Sequence, residues 1–290
     1  MRPCLWLLFA VLASSGCSRT ASWAANVGVD DDRIESRTYD TASHLALDVH
    51  SPVPRPGAAG AGAPVVVYFH GGRWRDGDRQ AARFVGQRLA DAGALVVVPD
   101  FRQAPAHAFP DFMHDAAKAV AWTRANAPRY GGDPSRVFVM GHSSGAHIAA
   151  LLGTDGRYLA GEGMAPKALA GVIGWSGPYD FLPIREVDLV DVFGTGERWP
   201  ATQPVNFVDG DEPAFLLLHG ADDDTVLPAN STSLHRKLGA AGIRSRLVTL
   251  PDTGHAGVLL ELKLPGTGPA LAETLRFVGL GTGADAAPPR

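Results

Sequence analysis

Ser143 stands inside the pattern GHSSG, residues 141–145, and it is the side chain in this sequence best placed to act as a nucleophile. A serine hydroxyl attacks poorly by itself, so it needs an imidazole to take its proton and a carboxylate to orient that imidazole. Downstream, HGADDDTVLP at 219–228 supplies three adjacent acids, Asp222, Asp223 and Asp224, and PDTGHAG at 251–257 supplies His255. Serine, then acid, then histidine is the chain order expected when the nucleophile rides a strand-to-helix elbow. Three neighbouring carboxylates repel one another, so one of them should face His255 while the others meet water. The residue types leave open which one that is.

Such chemistry also needs N–H donors about 3 Å from the oxyanion that forms when the serine attacks a carbonyl. HGGRW at 70–74 follows an apolar run and lets the backbone come close to a substrate, so the N–H groups of Gly72, Arg73 and Ser144 are the assigned donors. No cofactor is expected, because backbone groups hold the developing charge. No metal is expected either, since Cys4 and Cys17, the two cysteines, both lie near the amino terminus and leave the rest without a thiolate ligand.

The elements that must carry these residues follow from periodicity. Residues 65–69, VVVYF, form a continuous apolar run of the kind found in strands buried on both faces of a parallel sheet. Further strands are expected at 44–50, 94–98, 137–140, 169–175, 215–218 and 246–250. Helical spacing predicts helices at 79–92, 111–127, 144–152, 231–241 and 269–278, with Phe112, Ala116, Ala119, Val120 and Trp122 as the inner face of the second. GGDPSR, 131–136, reads as a turn. Strands alternating with helices make an α/β protein with a mostly parallel central sheet, helices on both faces and the reactive residues on loops at the carboxyl ends of the strands. The stretch from Asp180 to Pro213 is long enough for a small cap over the site.

With 290 residues, 46% hydrophobic and 19% charged, the chain suits one large domain. The expected division is residues 1–17 as a lipoprotein-like signal peptide, 18–36 as a spacer, 37–279 as the domain and 280–290 as a disordered tail. LWLLFAVLA at 5–13 is too short to span a bilayer but suits the apolar core of a secretory signal, and SSGCS follows it. Cleavage before Cys17 would leave a lipid anchor; a cut after Ala24 or Ala25 is the alternative. The chain is therefore expected to be exported, periplasmic or membrane-anchored. A formal net charge of -4 provides no basic field for nucleic acid, which leaves a small-molecule or surface-polymer ester as the expected partner.

Seven strings in order, HGGRW with DGD after it, VVVPDFR, YGGDP, GHSSGAHIAA, GPYDF, HGADDDTVLP and GHAG, resemble the α/β-hydrolase esterases. The resemblance covers roughly residues 65–278. It is closest to the group containing feruloyl-esterase-like hydrolases, isoprenylcysteine methylesterases and kynurenine formamidases. It implies an α/β-hydrolase fold and hydrolysis of short-chain or aryl carboxylic esters, with Ser143 as nucleophile and His255 as base. The family's spacing, an acid four residues after the histidine of the HG pair, implies Asp223 as the third member. Arg73 and Ser144 depart from the commoner glycine and small apolar residue, yet each is asked for a backbone N–H, and the Arg73 side chain is free to touch substrate. A formamide hydrolase would use the same triad; a secretion signal favours the ester. An inactive hydrolase fold used for binding is the remaining alternative. Trp74, Trp175 and Tyr179 are candidate walls of the substrate pocket, while His70, His219, His142, His147 and Asp180 read as structural.

Overall fold

A computed structural model describes residues 25–54, 62–263 and 268–281. The signal-like segment with Cys17, residues 55–61 of the Pro/Gly/Ala-rich stretch SPVPRPGAAGAGAP at 51–64, residues 264–267 and residues 282–290 lie outside the described residues. Eight strands form one sheet, β1 (Ile34–Asp40), β2 (Leu45–His50), β3 (Ala63–Phe69), β4 (Leu95–Pro99), β5 (Gly132–His142), β6 (Gly171–Trp175), β7 (Phe215–Gly220) and β8 (Ser245–Leu250). Their spatial order is β1-β2-β4-β3-β5-β6-β7-β8. The first two pairings, β1 with β2 and β2 with β4, are antiparallel, and every later pairing is parallel.

The apolar runs form the central strands because both of their faces are covered. Val65, Val67 and Phe69 point into one layer; Val66 and Tyr68 point into the other. Helices α2 (Asp111–Asn126), α3 (Ser144–Thr154) and α6 (Ala229–Ala240) contribute to the first layer, and the short α4 (Gly156–Ala160) adds Tyr158 and Leu159 to it. Helices α1 (Arg83–Asp91), α7 (Gly257–Lys263) and α8 (Ala270–Phe277) cover the second. Between β6 and β7 lies α5 (Val187–Phe193), followed by 3-10 turns at Gly196–Thr202 and Pro204–Phe207. This segment occupies the stretch where the sequence suggested a cap, and it is called the cap below.

Three expectations change. The sheet begins at Ile34, inside the stretch read as a spacer, and β1 has the half-buried alternation of an edge strand. GGDPSR is not a free turn: β5 starts at Gly132, and Ala63 of β3 pairs with it across a register shift. On α2, Trp122 is only half-buried, while Met113, Asp115 and Thr123 face inward. Asp115 tolerates burial because Arg102 grips both its carboxylate oxygens, at 2.7 Å from Nη2 to Oδ1 and 2.9 Å from Nε to Oδ2.

Candidate active site

The register of the parallel strands decides what meets at their carboxyl ends. Phe69 of β3 lies beside Gly141 of β5, His142 beside Trp175 of β6, Trp175 beside Leu218 of β7, and Gly220 beside Leu250 of β8. The loops leaving these strands carry HGGRW, Ser143, Asp223 and His255, so four distant stretches of sequence open onto one edge.

Ser143 has φ 55° and ψ -123°, a conformation that non-glycine residues rarely hold. Strain of that kind costs about 1–3 kcal/mol and persists only where the surroundings enforce it. Here the Ser143 N–H donates to the Trp175 carbonyl at 2.9 Å, and α3 starts at the next residue. The two glycines of the motif are demanded by close approach. A Cβ on Gly145 would lie 2.0 Å from the Phe69 carbonyl oxygen, and one on Gly141 would lie 2.2 Å from Gly145.

His255 joins the other two. Its Nε2 is 2.9 Å from Ser143 Oγ and its Nδ1 is 2.8 Å from Asp223 Oδ2. An ionised carboxylate only accepts, so Nδ1 carries the proton and Nε2 is left as acceptor for the serine hydroxyl. Among the three acids, Asp223 is buried while Asp222 and Asp224 are exposed. Its Oδ1 takes N–H groups from Thr225 at 3.1 Å and Val226 at 2.9 Å. Its Oδ2 also lies 3.2 Å from His219 Nε2. Burial alone would raise the Asp223 pKa, but hydrogen bonds from His219, His255 and the Val226 N–H hold it far below the ordinary carboxylate range.

Two histidines read as structural stand closer to this chemistry than residue type suggested. His219 shares its Nε2–H between Asp223 and the Val226 carbonyl, 2.7 Å away, while Ser231 Oγ lies 2.7 Å from Nδ1. Its spacing of four from Asp223 was the available signal. His142 donates from Nε2 to the His255 carbonyl at 2.9 Å and so ties the histidine loop to the elbow. Burial, followed by the neighbouring His255, drives the His142 pKa down to about 3, which keeps that ring neutral. His70 stacks on Phe101 at 4.5 Å and turns Nδ1 to the Gly71 carbonyl.

The HGGRW loop passes over the elbow. A Cβ at Gly71 would sit 3.3 Å from Ser143 Cβ, and one at Gly72, where φ is 129°, would collide with the Asp76 carbonyl oxygen at 2.0 Å. That glycine therefore has two reasons to be one. The Gly72 carbonyl accepts from the N–H groups of Arg75 and Asp76, whereas no acceptor for the Gly72 or Arg73 N–H exists among the described residues. Ser144 opens α3, so its N–H has no preceding turn to bond. The arrangement can take a proton from the serine, hold the imidazolium against a carboxylate and offer N–H groups to an oxyanion.

Residues 47–238 match the BD-FAE family model, which is well over half of the chain. The chain belongs to the BD-FAE family. Among curated relatives it is 33% identical to esterase LipC of Mycobacterium tuberculosis over 220 residues, which is 69% of this chain and 54% of LipC. It is 29% identical to a probable isoprenylcysteine alpha-carbonyl methylesterase of Oryza sativa over 83% of this chain and 61% of that protein. The chain thus spans about half the length of LipC and a little more of the plant protein. A truncated carbohydrate esterase from gut microbiota superposes with a TM-score of 0.71 at 22% identity, covering 86% of this chain and 97% of that one. Such a likeness establishes the α/β-hydrolase fold.

Within this BD-FAE chain the three expected pocket walls need correction. Trp175 ends β6 on the face of Ile173 and is buried in the second layer, away from the cap. Tyr179 is buried too, its ring lying over Gly174 and Gly177 so closely that a Cβ on either would overlap it. Trp74 is 3% exposed and packs against His147, Phe181 and Phe193, donating from Nε1 to His147 Nδ1 at 3.2 Å. Aromatics of this size were needed as core. Asp180 accepts from Ser233 Oγ, and Asn230 Oδ1 accepts the N–H groups of Tyr179 and Asp180, which fastens the start of the cap to α6.

Proposed function

We propose that this chain hydrolyses carboxylic esters through an acyl-enzyme on Ser143. The observation that carries the reading is the unbroken hydrogen-bonded line Ser143–His255–Asp223, and the N–H groups of Gly72, Arg73 and Ser144 are the oxyanion donors we assign to it. As Ser143 Oγ attacks the ester carbonyl carbon, His255 Nε2 takes the hydroxyl proton and the oxyanion settles on the three N–H donors. Collapse expels the alcohol, which receives that proton from His255. Water then attacks the acyl group, losing a proton to His255, and the second collapse returns Oγ and its proton to Ser143 and frees the acid. Asp223 keeps the proton on Nδ1 throughout and balances the transient imidazolium.

Named esterases among the relatives support this choice of substrate over an amide. A p-nitrophenyl ester series from acetate to decanoate, with Ser143→Ala as blank and N-formylkynurenine alongside, tests it. Serine-dependent turnover of short esters is expected. Preference for the formamide, or turnover that survives in Ser143→Ala, overturns the reading. We infer further that the chain is exported and lipid-anchored through Cys17, supported by the apolar run and the small residues before that cysteine. Membrane fractionation of wild type against Cys17→Ser would show the anchor as loss of the membrane-bound pool.

A further inference from the structure

The loop that presents the proposed oxyanion donors is strained at two consecutive residues. Arg73 has φ 55° and Trp74 φ 60°. Neither residue is a glycine, and such a pair relaxes unless something holds it. Three side-chain anchors do so, in sequence. Arg73 grips Asp188 with a fork, Nε to Oδ2 at 2.9 Å and Nη2 to Oδ1 at 2.9 Å. Trp74 donates to His147, whose Nε2–H is fixed on the Thr202 carbonyl at 2.7 Å. Arg75 reaches both Asp191 Oδ2 at 3.0 Å and the Asp188 carbonyl at 2.9 Å. Two of the three anchors come from α5 of the cap.

We propose that Asp188 and Asp191 are positioning residues, which hold the Gly72 and Arg73 N–H groups in place for the oxyanion and couple those donors to the seat of the cap. The inference rests on the acyl-transfer reading of the site. Side chains of the Arg73–Asp188 pair are 48% and 41% exposed, and ion pairs of that exposure add little to global stability. Helix α5 has other moorings, since Val192 and Phe193 are buried and the Phe109 N–H donates to the Val192 carbonyl at 2.8 Å. Removing the carboxylate therefore frees the loop without unfolding the cap. The fork also occupies the Arg73 guanidinium, which places its charge on α5 instead of on a substrate.

The test compares kcat and KM for p-nitrophenyl acetate in wild type, Asp188→Ala, Asp188→Asn and the charge-swapped double variant Arg73→Asp with Asp188→Arg. Rates are normalised to sites titrated with diethyl p-nitrophenyl phosphate. Asp188→Ala should lose about threefold to fivefold in kcat with KM within about twofold, the most that an ion pair of this exposure supports and well short of the 10²–10³ of deleting a donor outright. The swap should restore most of it, and molar salt should slow wild type more than Asp188→Ala, where only the Arg75–Asp191 pair is left to screen. Hydrogen exchange at the Arg75 and Asp76 amides, which bond the Gly72 carbonyl, should quicken in both single variants. Unchanged kcat per titrated site, or a loss carried by KM alone, overturns the proposal. Absence of Ser143-dependent turnover in wild type would sink the functional reading instead, and amide exchange would then decide alone whether α5 fixes the loop.

Discussion

Replacing Asp223 by Asn tests the triad at the point where residue types left a choice. The change keeps shape and removes one charge. Asp223 accepts from the N–H groups of Thr225 and Val226 on Oδ1, and from His255 and His219 on Oδ2. An asparagine has one oxygen for these two sides. If that oxygen stays with the backbone donors, the new NH2 faces His255 Nδ1, which must give up its proton and become an acceptor. The proton then sits on Nε2, pointing at Ser143 Oγ, and the base is blocked. His219 loses less, since the Val226 carbonyl still takes its Nε2–H. If the amide turns round, its NH2 confronts two backbone N–H groups and leaves buried donors unpaired, at about 1–3 kcal/mol each. The first orientation is the cheaper one and it disables the base. A wrong tautomer in such a triad costs about 10⁴ in kcat, equivalent to about 5.4 kcal/mol of barrier. Steady-state hydrolysis of p-nitrophenyl acetate by Asp223→Asn, Asp222→Asn and Asp224→Asn, each corrected for the folded fraction, measures this directly. The two exposed neighbours should stay within about threefold of wild type, because their charges lie in water. Asp223→Asn within tenfold of wild type, or a larger loss in a neighbour, would refute the reasoning.

Gly145→Ala should cost about 4 kcal/mol or more, because its Cβ would meet the Phe69 and His70 carbonyl oxygens at 2.0 and 2.6 Å; Gly239→Ala on α6, which meets nothing within 4 Å, is the control, and equal melting temperatures would contradict the packing argument. Ser144→Ala keeps the proposed N–H donor and deletes a buried hydroxyl that has no hydrogen-bond partner among the described residues, so kcat should stay within about twofold and thermal stability should hold or rise. A tenfold loss would mean that the hydroxyl itself acts. Burial lowers the pKa of His50 and His147 to about 4 and, with His255 as the next cause, that of His142 to about 3. In the fold they refuse protons that the unfolded chain accepts below about 6.5, so stability is full above that pH and falls between about 6.5 and 4. Each should contribute about 2 kcal/mol of loss from pH 7.5 to 5 in urea melts; a flat midpoint across that range would rule this out.

How far the sequence spoke depended on whether a residue had a local marker. The central strands were readable because runs such as VVVYF and FLLLH are apolar on both faces, and the elbow because close backbone approach leaves glycine as its signature. The choice among Asp222, Asp223 and Asp224 had no such marker. It is made by the turn from Gly220 to Val226, which points one carboxylate at two N–H groups and turns its neighbours to water. Trp175 was misplaced for a related reason: with both sheet faces apolar, nothing in GVIGW shows which layer its last ring enters. The short elements α5, α7 and β1 escaped because seven residues give barely two turns of helical period, and an edge strand looks like any polar stretch. The roles of His219 and His142 depend on partners brought by other loops.

Strands β6 and β7 are parallel neighbours, so the chain between them must travel from the carboxyl end of one to the amino end of the next. In this protein the cap segment makes that journey; it is the crossover connection itself and not an insertion into one. Evolution can therefore reshape or trim this segment residue by residue, but only down to the dozen or so residues that a parallel crossover needs. A deletion that shortened the passage below the span of a strand would unthread β7, and with it the loop that carries Asp223. Within that limit the connection can be lengthened, shortened or substituted, while the acid keeps its place because β7 keeps its own.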